Sequence, residues 1–264
     1  MFDVVQGLWI GSRLGPFGEL TIQSFLKQGH PFHLYCYDVP DDLPPDATLK
    51  DAAEILPRSE VFTYQTGHGK GSVSAFSNLF RYQLLYDRGG WWVDMDVCCL
   101  RPFALDSELV LAVEHHRKGW QVASAILRFP PGHPCMKECL EEARRAKDDP
   151  MLTWGRIGPE LVARLAAKHG LHRFAESAQR FMPVPPWGWL LLLGSGLEAR
   201  ICRSFLTPET LGVHLWHEMY RRELKTRRLE IPDDCVLAEL LREHGLWPRA
   251  FPEPAGPEET SGSE

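Results

Sequence analysis

Asp94 and Asp96 stand one residue apart, directly behind the apolar run Trp91-Trp92-Val93. In an extended strand residues i and i+2 point the same way, so the two carboxylates can share one side where a buried strand runs out into a loop. Converging carboxylates repel each other and are stable together when a cation lies between them, and hard divalent ions prefer oxygen ligands. The chemistry open to the pair is therefore divalent-metal binding. An Asp-x-Asp triplet recurs by chance, so its weight comes from its surroundings.

Those surroundings are a helix, a break and a strand. Phe76, Phe80 and Leu84 recur at i, i+4 and i+8 and predict a helix over 74–88 with one core face. Ser77, Asn78 and Arg81 fall on a separate arc about 100° wide. An arginine among apolar neighbours is costly unless it meets an anion. For Arg81 that anion is either Asp87 or another acid in a salt bridge, or a bound diphosphate. Gly89-Gly90 closes the helix and launches the strand that carries the aspartates.

The pattern Ser77-x-x-x-Arg81, seven residues, Gly89-Gly90, one residue, an aromatic, one residue, Asp94-x-Asp96 resembles the glycosyltransferases with a DXD sugar-binding motif. That family includes yeast mannosyltransferases, the α1,4-galactosyltransferase group and, more distantly, the clostridial glucosylating toxins. The opening Gly7-Leu8-Trp9-Ile10-Gly11 is similar to the family's first strand. The resemblance is strong over 4–102 and weaker to about residue 216. It implies an α/β chain of GT-A fold, a mostly parallel nucleotide-binding sheet flanked by helices, with Mn²⁺ or Mg²⁺ and a nucleotide-sugar donor. By position, Asp94 would contact the ribose and sugar side of the donor, and Asp96 would coordinate the metal. Arg81 would meet the sugar or phosphate, Ser77 would lie near the nucleoside, and Trp9 and Ile10 would hold the base. Two residues depart from the family pattern. Asn78 stands where many relatives have Asp, and an amide can still hydrogen-bond sugar hydroxyls. Trp92 stands where Tyr is usual, which removes a hydroxyl.

Further along, Leu211-Gly-Val-His-Leu-Trp216 is similar to a C-terminal His-x-Trp element that in relatives returns to the metal. Imidazole is an acceptable Mn²⁺ ligand beside carboxylates, so His214 is a candidate metal or diphosphate contact; the other reading is a histidine paired inside a strand. His217 lacks the His-Glu-x-x-His spacing of a zinc pair. His115-His116 reads as a solvated loop rather than a substrate contact. Gly158-Pro159 reads as an acceptor-side element or as simple capping by Pro at the first helical turn. Pro185-Pro186-Trp187-Gly188-Trp189 reads as core cover in preference to a sugar-stacking platform. Leu190–Leu193 beside it could touch a lipid-linked acceptor. The glycine-rich 67–72 segment lacks the spacing of a phosphate-binding P-loop and reads as a mobile loop beside the donor site.

The remaining elements follow from pattern. Strands are predicted over 4–10, 32–37, 109–113 and 124–127, and helices over 19–28, 51–56, 134–147 and 159–168, with a loop over 38–45. This alternation predicts a mainly parallel sheet, whose ligands bind at the carboxyl ends of strands, where Asp94 and Asp96 fall. Residues 1–248 read as one domain and 249–264 as a disordered Pro/Glu/Ser/Gly-rich tail. The net charge of −6, without a basic block, argues against a nucleic-acid partner. The start lacks the basic segment of a signal peptide, and the longest apolar run, 187–193, is too short to span a bilayer. Seven scattered cysteines without a Cys-x-x-Cys pair fit free thiols in the cytoplasm, with peripheral contact at the inner face of the membrane left open. Adjacent Cys98 and Cys99 read as strand residues.

The expected reaction is transfer of a sugar, from a UDP-sugar in preference to a GDP-sugar, to a glycan, lipid-linked or protein acceptor, in polysaccharide or glycoconjugate synthesis. The resemblance implies retention of configuration, with a front-face displacement and a covalent intermediate both open. The alternatives are a nucleotide-sugar hydrolase, a toxin-like transferase acting on protein, and a non-catalytic sugar-nucleotide-binding protein. A phosphohydrolase using Asp-x-Asp as nucleophile would carry its first aspartate on the first strand, not some ninety residues in.

Overall fold

The computed structural model describes residues 2–224 and 231–248. The elements in chain order are β1 (Val5–Trp9), α1 (Gly15–Lys27), β2 (Phe32–Cys36), β3 (Thr48–Asp51), α2 (Ser74–Asp87), β4 (Gly90–Val93), β5 (Val97–Cys99), β6 (Val110–His116), β7 (Gly119–Phe129), α3 (Pro134–Ala146), α4 (Pro159–Lys168), β8 (Ala175–Glu176), α5 (Ala178–Phe181), α6 (Leu197–Phe205), β9 (Gly212–His214), α7 (His217–Leu224) and α8 (Val236–Glu243). Seven strands form one sheet in the order β3-β2-β1-β4-β7-β6-β8, and β5 pairs with β9 in a small separate sheet. Four of the large sheet's pairings are parallel, β1 with β2 and β4, β2 with β3, and β6 with β8. The expected mixed α/β chain with a mostly parallel sheet flanked by helices is what the structure has.

Strand β4 shows why the sequence reads as a continuous apolar run. Trp91 and Trp92 point to opposite faces and both are fully buried. Trp92 packs with Phe80 among residues of α2, α3 and α4 on one face. Trp91 packs with Phe103 and Phe181 on the other, which α1 and α5 cover. The α2 positions Phe76, Phe80 and Leu84 are fully buried, as their spacing predicts. The turn into β4 requires glycine. Gly89 has φ +64°, and a Cβ there would lie 2.6 Å from Pro131 N.

The sheet departs from simple β-α-β alternation. β6 and β7 form an antiparallel hairpin, and β7 runs antiparallel to β4, so two of the large sheet's six pairings are antiparallel. Both strands are longer than the apolar runs at 109–113 and 124–127, because pairing continues past the core through Glu114↔Gln121, His115↔Trp120 and His116↔Gly119. His115 and His116 therefore lie on a strand, not in a solvated loop. β3 had no apolar signal because all four of its residues face solvent at least in part. The helix expected over 51–56 is a 3₁₀ turn, Ala52–Glu54, whose first turn is capped by the Asp51 carboxylate accepting from Ala53 N at 2.8 Å. α1 begins four residues before the expected Glu19, with Pro16 in its first turn. Within the 67–72 segment, Gly67–Gly69 forms a 3₁₀ turn, and Gly71 N donates to Tyr64 O at 2.9 Å. The 249–264 tail lies outside the described residues.

Candidate active site

All eight sequence-derived candidates, Trp9, Ile10, Ser77, Asn78, Arg81, Asp94, Asp96 and His214, line a single cavity of about 720 Å³. Trp9 is the last residue of β1 and Ile10 follows it. Ser77, Asn78 and Arg81 come from one side of α2. The aspartates follow β4, and His214 ends β9. The cavity thus sits at the carboxyl ends of β1 and β4, where an open α/β sheet binds its ligands.

The aspartates converge by a turn rather than by strand pleating. β4 ends at Val93, and Asp94-Met95-Asp96 turns the chain from the large sheet into β5, with Val97 N donating to Asp94 O at 3.2 Å. Buried Met95 holds the turn against β1. A Cβ on Gly7 would come within 2.7 Å of the Met95 Sδ, so any larger residue there would force Met95 to shift.

Arg81 is locked to the first aspartate. Its side chain is 3% exposed. Nη2 donates to Asp94 Oδ1 at 2.5 Å, and Nη1 donates to Asn78 Oδ1 at 2.7 Å. Of the two anions open to Arg81 within the chain, the partner is Asp94, not Asp87. The guanidinium also lies over the Trp92 ring, 5.0 Å from its centroid. Trp92 Nε1 donates to the same Asp94 oxygen at 2.8 Å, so the residue that lacks a tyrosine hydroxyl still supplies a polar contact. Among the described residues none donates to Asp94 Oδ2.

Asp96 is fastened to the 212–217 segment. β9 pairs antiparallel with β5, setting Val97 opposite His214. Leu215 N donates to Asp96 O at 2.8 Å, and His217 N donates to Asp96 Oδ2 at 2.9 Å. His214 Nε2 lies 3.1 Å from Asp96 Oδ1. Burial opposes charge on Asp96, but His214 and His217 outweigh it and hold the carboxyl below its usual range. Burial likewise opposes charge on His214, but Asp96, Asp94 and Glu114 outweigh it and raise the imidazole above its ordinary value.

Asp94, Asp96 and His214 can each place one ligand atom so that all lie within 4.8 Å of one another. His214 Nδ1 is buried without a partner among the described residues, as are Arg81 Nε and Trp9 Nε1. A backbone outlier sits beside the cluster. Trp216 has φ 57°, rare for a residue with a side chain. It is held there by Nε1 donating to Val184 O at 3.0 Å and by its ring packing 4.2 Å from that of His214.

Sequence reading missed Glu114, Gln121 and Arg222 on the far wall of the cavity, and it favoured a loop for His115 and core for Trp187, which line that wall beside Trp154. The 185–189 segment divides in two. Trp189 is buried core, as expected, whereas Trp187 is exposed and lines the cavity. A shallower hollow of about 470 Å³ between α3 and α4 is lined by Arg145, Arg156 and Arg164 with Glu142 and Glu160, and its Arg164 is already paired with Glu142.

Residues 22–114 match the family of glycosyltransferase sugar-binding regions containing the DXD motif. The match holds Ser77, Asn78, Arg81, Asp94 and Asp96, and ends before His214. Two solved structures align with part of the chain. The PaToxG glycosyltransferase has a TM-score of 0.45 and 12% identity, covering 64% of this chain and 70% of its own. A cysteine-to-serine double mutant of a transferase has a TM-score of 0.44 and 10% identity, covering 66% of this chain and 91% of its own. No curated protein matches the chain.

Proposed function

We propose that this protein is a divalent-metal-dependent glycosyltransferase. It takes a sugar from a nucleotide-sugar, with UDP favoured over GDP as the carrier, and passes it to a hydroxyl acceptor in polysaccharide or glycoconjugate synthesis. One observation carries the reading. Asp94, Asp96 and His214 come together from stretches 118 residues apart, in the cavity where Arg81 is held on Asp94. The donor set, two carboxylates and an imidazole, suits Mn²⁺ or Mg²⁺. Asp94 Oδ2 and His214 Nδ1 are polar atoms that the described residues leave without a partner. Asp94, Asp96 and His214 would hold the ion, which when bound supplies Lewis-acid neutralisation of the departing diphosphate.

The chain's own groups do the rest. Arg81 is fixed by Asn78, Asp94 and Trp92 before any substrate arrives, so its charge needs no reorganisation as the diphosphate accumulates charge. Trp9 and Ile10 frame the base at the end of β1, and Ser77 borders the nucleoside. Asn78 and Asp94 face the sugar. The acceptor hydroxyl oxygen bonds to the anomeric carbon as that carbon's bond to the diphosphate oxygen breaks. The bonding electron pair leaves with the diphosphate, and the hydroxyl proton passes to a basic oxygen. Retention of configuration belongs to the reading through the family resemblance.

No helix of the described residues is long and apolar enough to cross a membrane. The seven cysteines are all free and buried, which supports a reducing compartment and hence a cytoplasmic enzyme.

The test is UDP release from UDP-glucose, UDP-galactose and UDP-N-acetylglucosamine with Mn²⁺, alongside the matching GDP-sugars. Slow metal-dependent release from one donor, abolished in Asp96→Asn, supports the reading. Absence of release from every donor, with the wild-type protein folded, contradicts it.

A further inference from the structure

The hairpin of β6 and β7 carries an aromatic strip that the donor site does not use. His115 and Trp120 are directly opposite on the two strands and so share one face. On that face the His115 ring meets Trp187 edge-on, with centroids 6.2 Å apart. Three rings therefore run in sequence from the cavity outward to the hairpin tip. Trp187 is 60% exposed and Trp120 is 77% exposed. Tryptophan is strongly buried on average, so two open indoles, one in ring contact with His115 and one opposite it in the ladder, form a surface that lacks its partner.

Polar groups line the same cavity as the inner two rings, His115 and Trp187. On the neighbouring pair of the ladder, Gln121 Nε2 donates to Glu114 Oε1 at 2.6 Å, and both residues line the cavity. Burial raises the Glu114 carboxyl above its ordinary value. Flat apolar ring faces in one cavity with a carboxyl and an amide match a sugar ring, which offers C–H faces and a rim of hydroxyls. A lipid surface would be met by the basic tip, Arg117 and Lys118, whereas the cavity end of the strip carries Glu114 and Gln121.

We infer that the strip Trp187–His115–Trp120 seats the saccharide chain of the acceptor, its reacting end directed into the cavity past Glu114 and Gln121 and its remainder lying outward over Trp120. The inference rests on the glycosyltransferase reading for the role of the site, but the binding itself can be measured without turnover.

The experiment titrates hexasaccharides of glucose, galactose, mannose and N-acetylglucosamine into the protein and follows tryptophan fluorescence. The titrations are repeated on Trp187→Ala and Trp120→Ala, both at exposed positions, with melting temperature as the control for folding. One hexasaccharide is expected to shift the emission. Its dissociation constant should rise about tenfold in Trp187→Ala and about threefold in Trp120→Ala, the range of one lost ring contact. Binding that is unchanged in both variants overturns the inference, as does no hexasaccharide binding to a protein that binds UDP. Trp120-dependent binding to phosphatidylglycerol vesicles without hexasaccharide binding overturns it too. Hexasaccharide binding that depends on Trp187 in a protein that fails to bind UDP keeps the saccharide site and removes the donor reading instead.

Discussion

Arg81 Nη2 lies 2.5 Å from Asp94 Oδ1, so the charged residue of α2 is clamped to the first aspartate of the turn that follows β4. Two consecutive elements, a helix and the strand launched from it, thus close on one ion pair at the cavity. The second arm of the guanidinium is taken by Asn78. Lysine is a point charge and cannot serve both partners with a fork. Arg81→Lys should lower kcat/KM for the donor by about 10²- to 10³-fold, the loss seen when one preorganised donor is removed from a developing anion. It should cost about 1 to 3 kcal/mol of stability, the worth of a hydrogen bond to a charged group. Steady-state kinetics and urea unfolding check both figures.

Asn78 is where the family resemblance expects aspartate, and the structure gives a reason for the amide. Its Nδ2 donates to Ser74 O at 3.0 Å while its Oδ1 accepts from Arg81, a pair of roles that no carboxylate can fill. A Cβ on Gly158 would lie 3.2 Å from Asn78 Oδ1, so the glycine leaves the space that this side chain fills. Asn78→Asp should destabilise the protein by about 1 kcal/mol, because it sets a carboxylate oxygen against the Ser74 carbonyl. A neutral or stabilising result in urea unfolding would show that the amide is not required.

Trp216 holds an unfavourable backbone angle between His214 and His217. Its indole N–H bond to Val184 O anchors that geometry. Trp216→Phe keeps a ring beside His214 and removes the bond. The variant should lose about 1 kcal/mol of stability. It should also bind Mn²⁺ about tenfold more weakly, as expected when a group supporting a ligand is lost. Thermal unfolding and metal titration measure the two effects separately.

His30 gives the fold a pH dependence remote from the cavity. Its Nδ1 lies 2.8 Å from Asp3 O, and its Nε2 accepts from Phe103 N at 2.9 Å. The ring must therefore stay neutral. Burial lowers its pKa from 6.5, against the smaller opposing effect of Asp3. Below pH 6.5 the unfolded chain takes up the proton and the folded chain resists it. Stability is thus fully present above pH 6.5 and is lost as pH falls toward the depressed folded value. The slope should approach about 1.4 kcal/mol per pH unit for this one group. Burial also lowers the pKa of His33 and His133, and these act in the same direction. Urea midpoints at pH 7.5 and 5.5 should differ more for the wild type than for His30→Gln.

Residue order revealed the donor half of the site because amphipathic spacing, glycine punctuation and an apolar strand all fall within residues 74–96. His214 was reachable only through resemblance. It lies 118 residues from Asp96, and the pairing of β9 with β5 that joins them rests on three residues with no periodicity to read. The far wall was hidden for another reason. Beyond Val113 the β6–β7 hairpin leaves the core, so its residues are polar or exposed and mimic a loop, while backbone pairing continues. β3 was missed because an exposed edge strand carries no hydrophobic alternation. Trp187 and Trp189 have the same residue type two positions apart, and only the 3₁₀ turn over Pro186–Leu192 sends one to the core and the other to the cavity.

The central claim is tested most directly by calorimetric titration of UDP, then GDP, into the protein with and without Mn²⁺, repeated on Asp96→Ala. The account predicts that one nucleotide, UDP by preference, binds only with the metal and that the variant loses this binding. Binding of neither nucleotide in the presence of Mn²⁺, or metal-independent binding that survives Asp96→Ala, would contradict it.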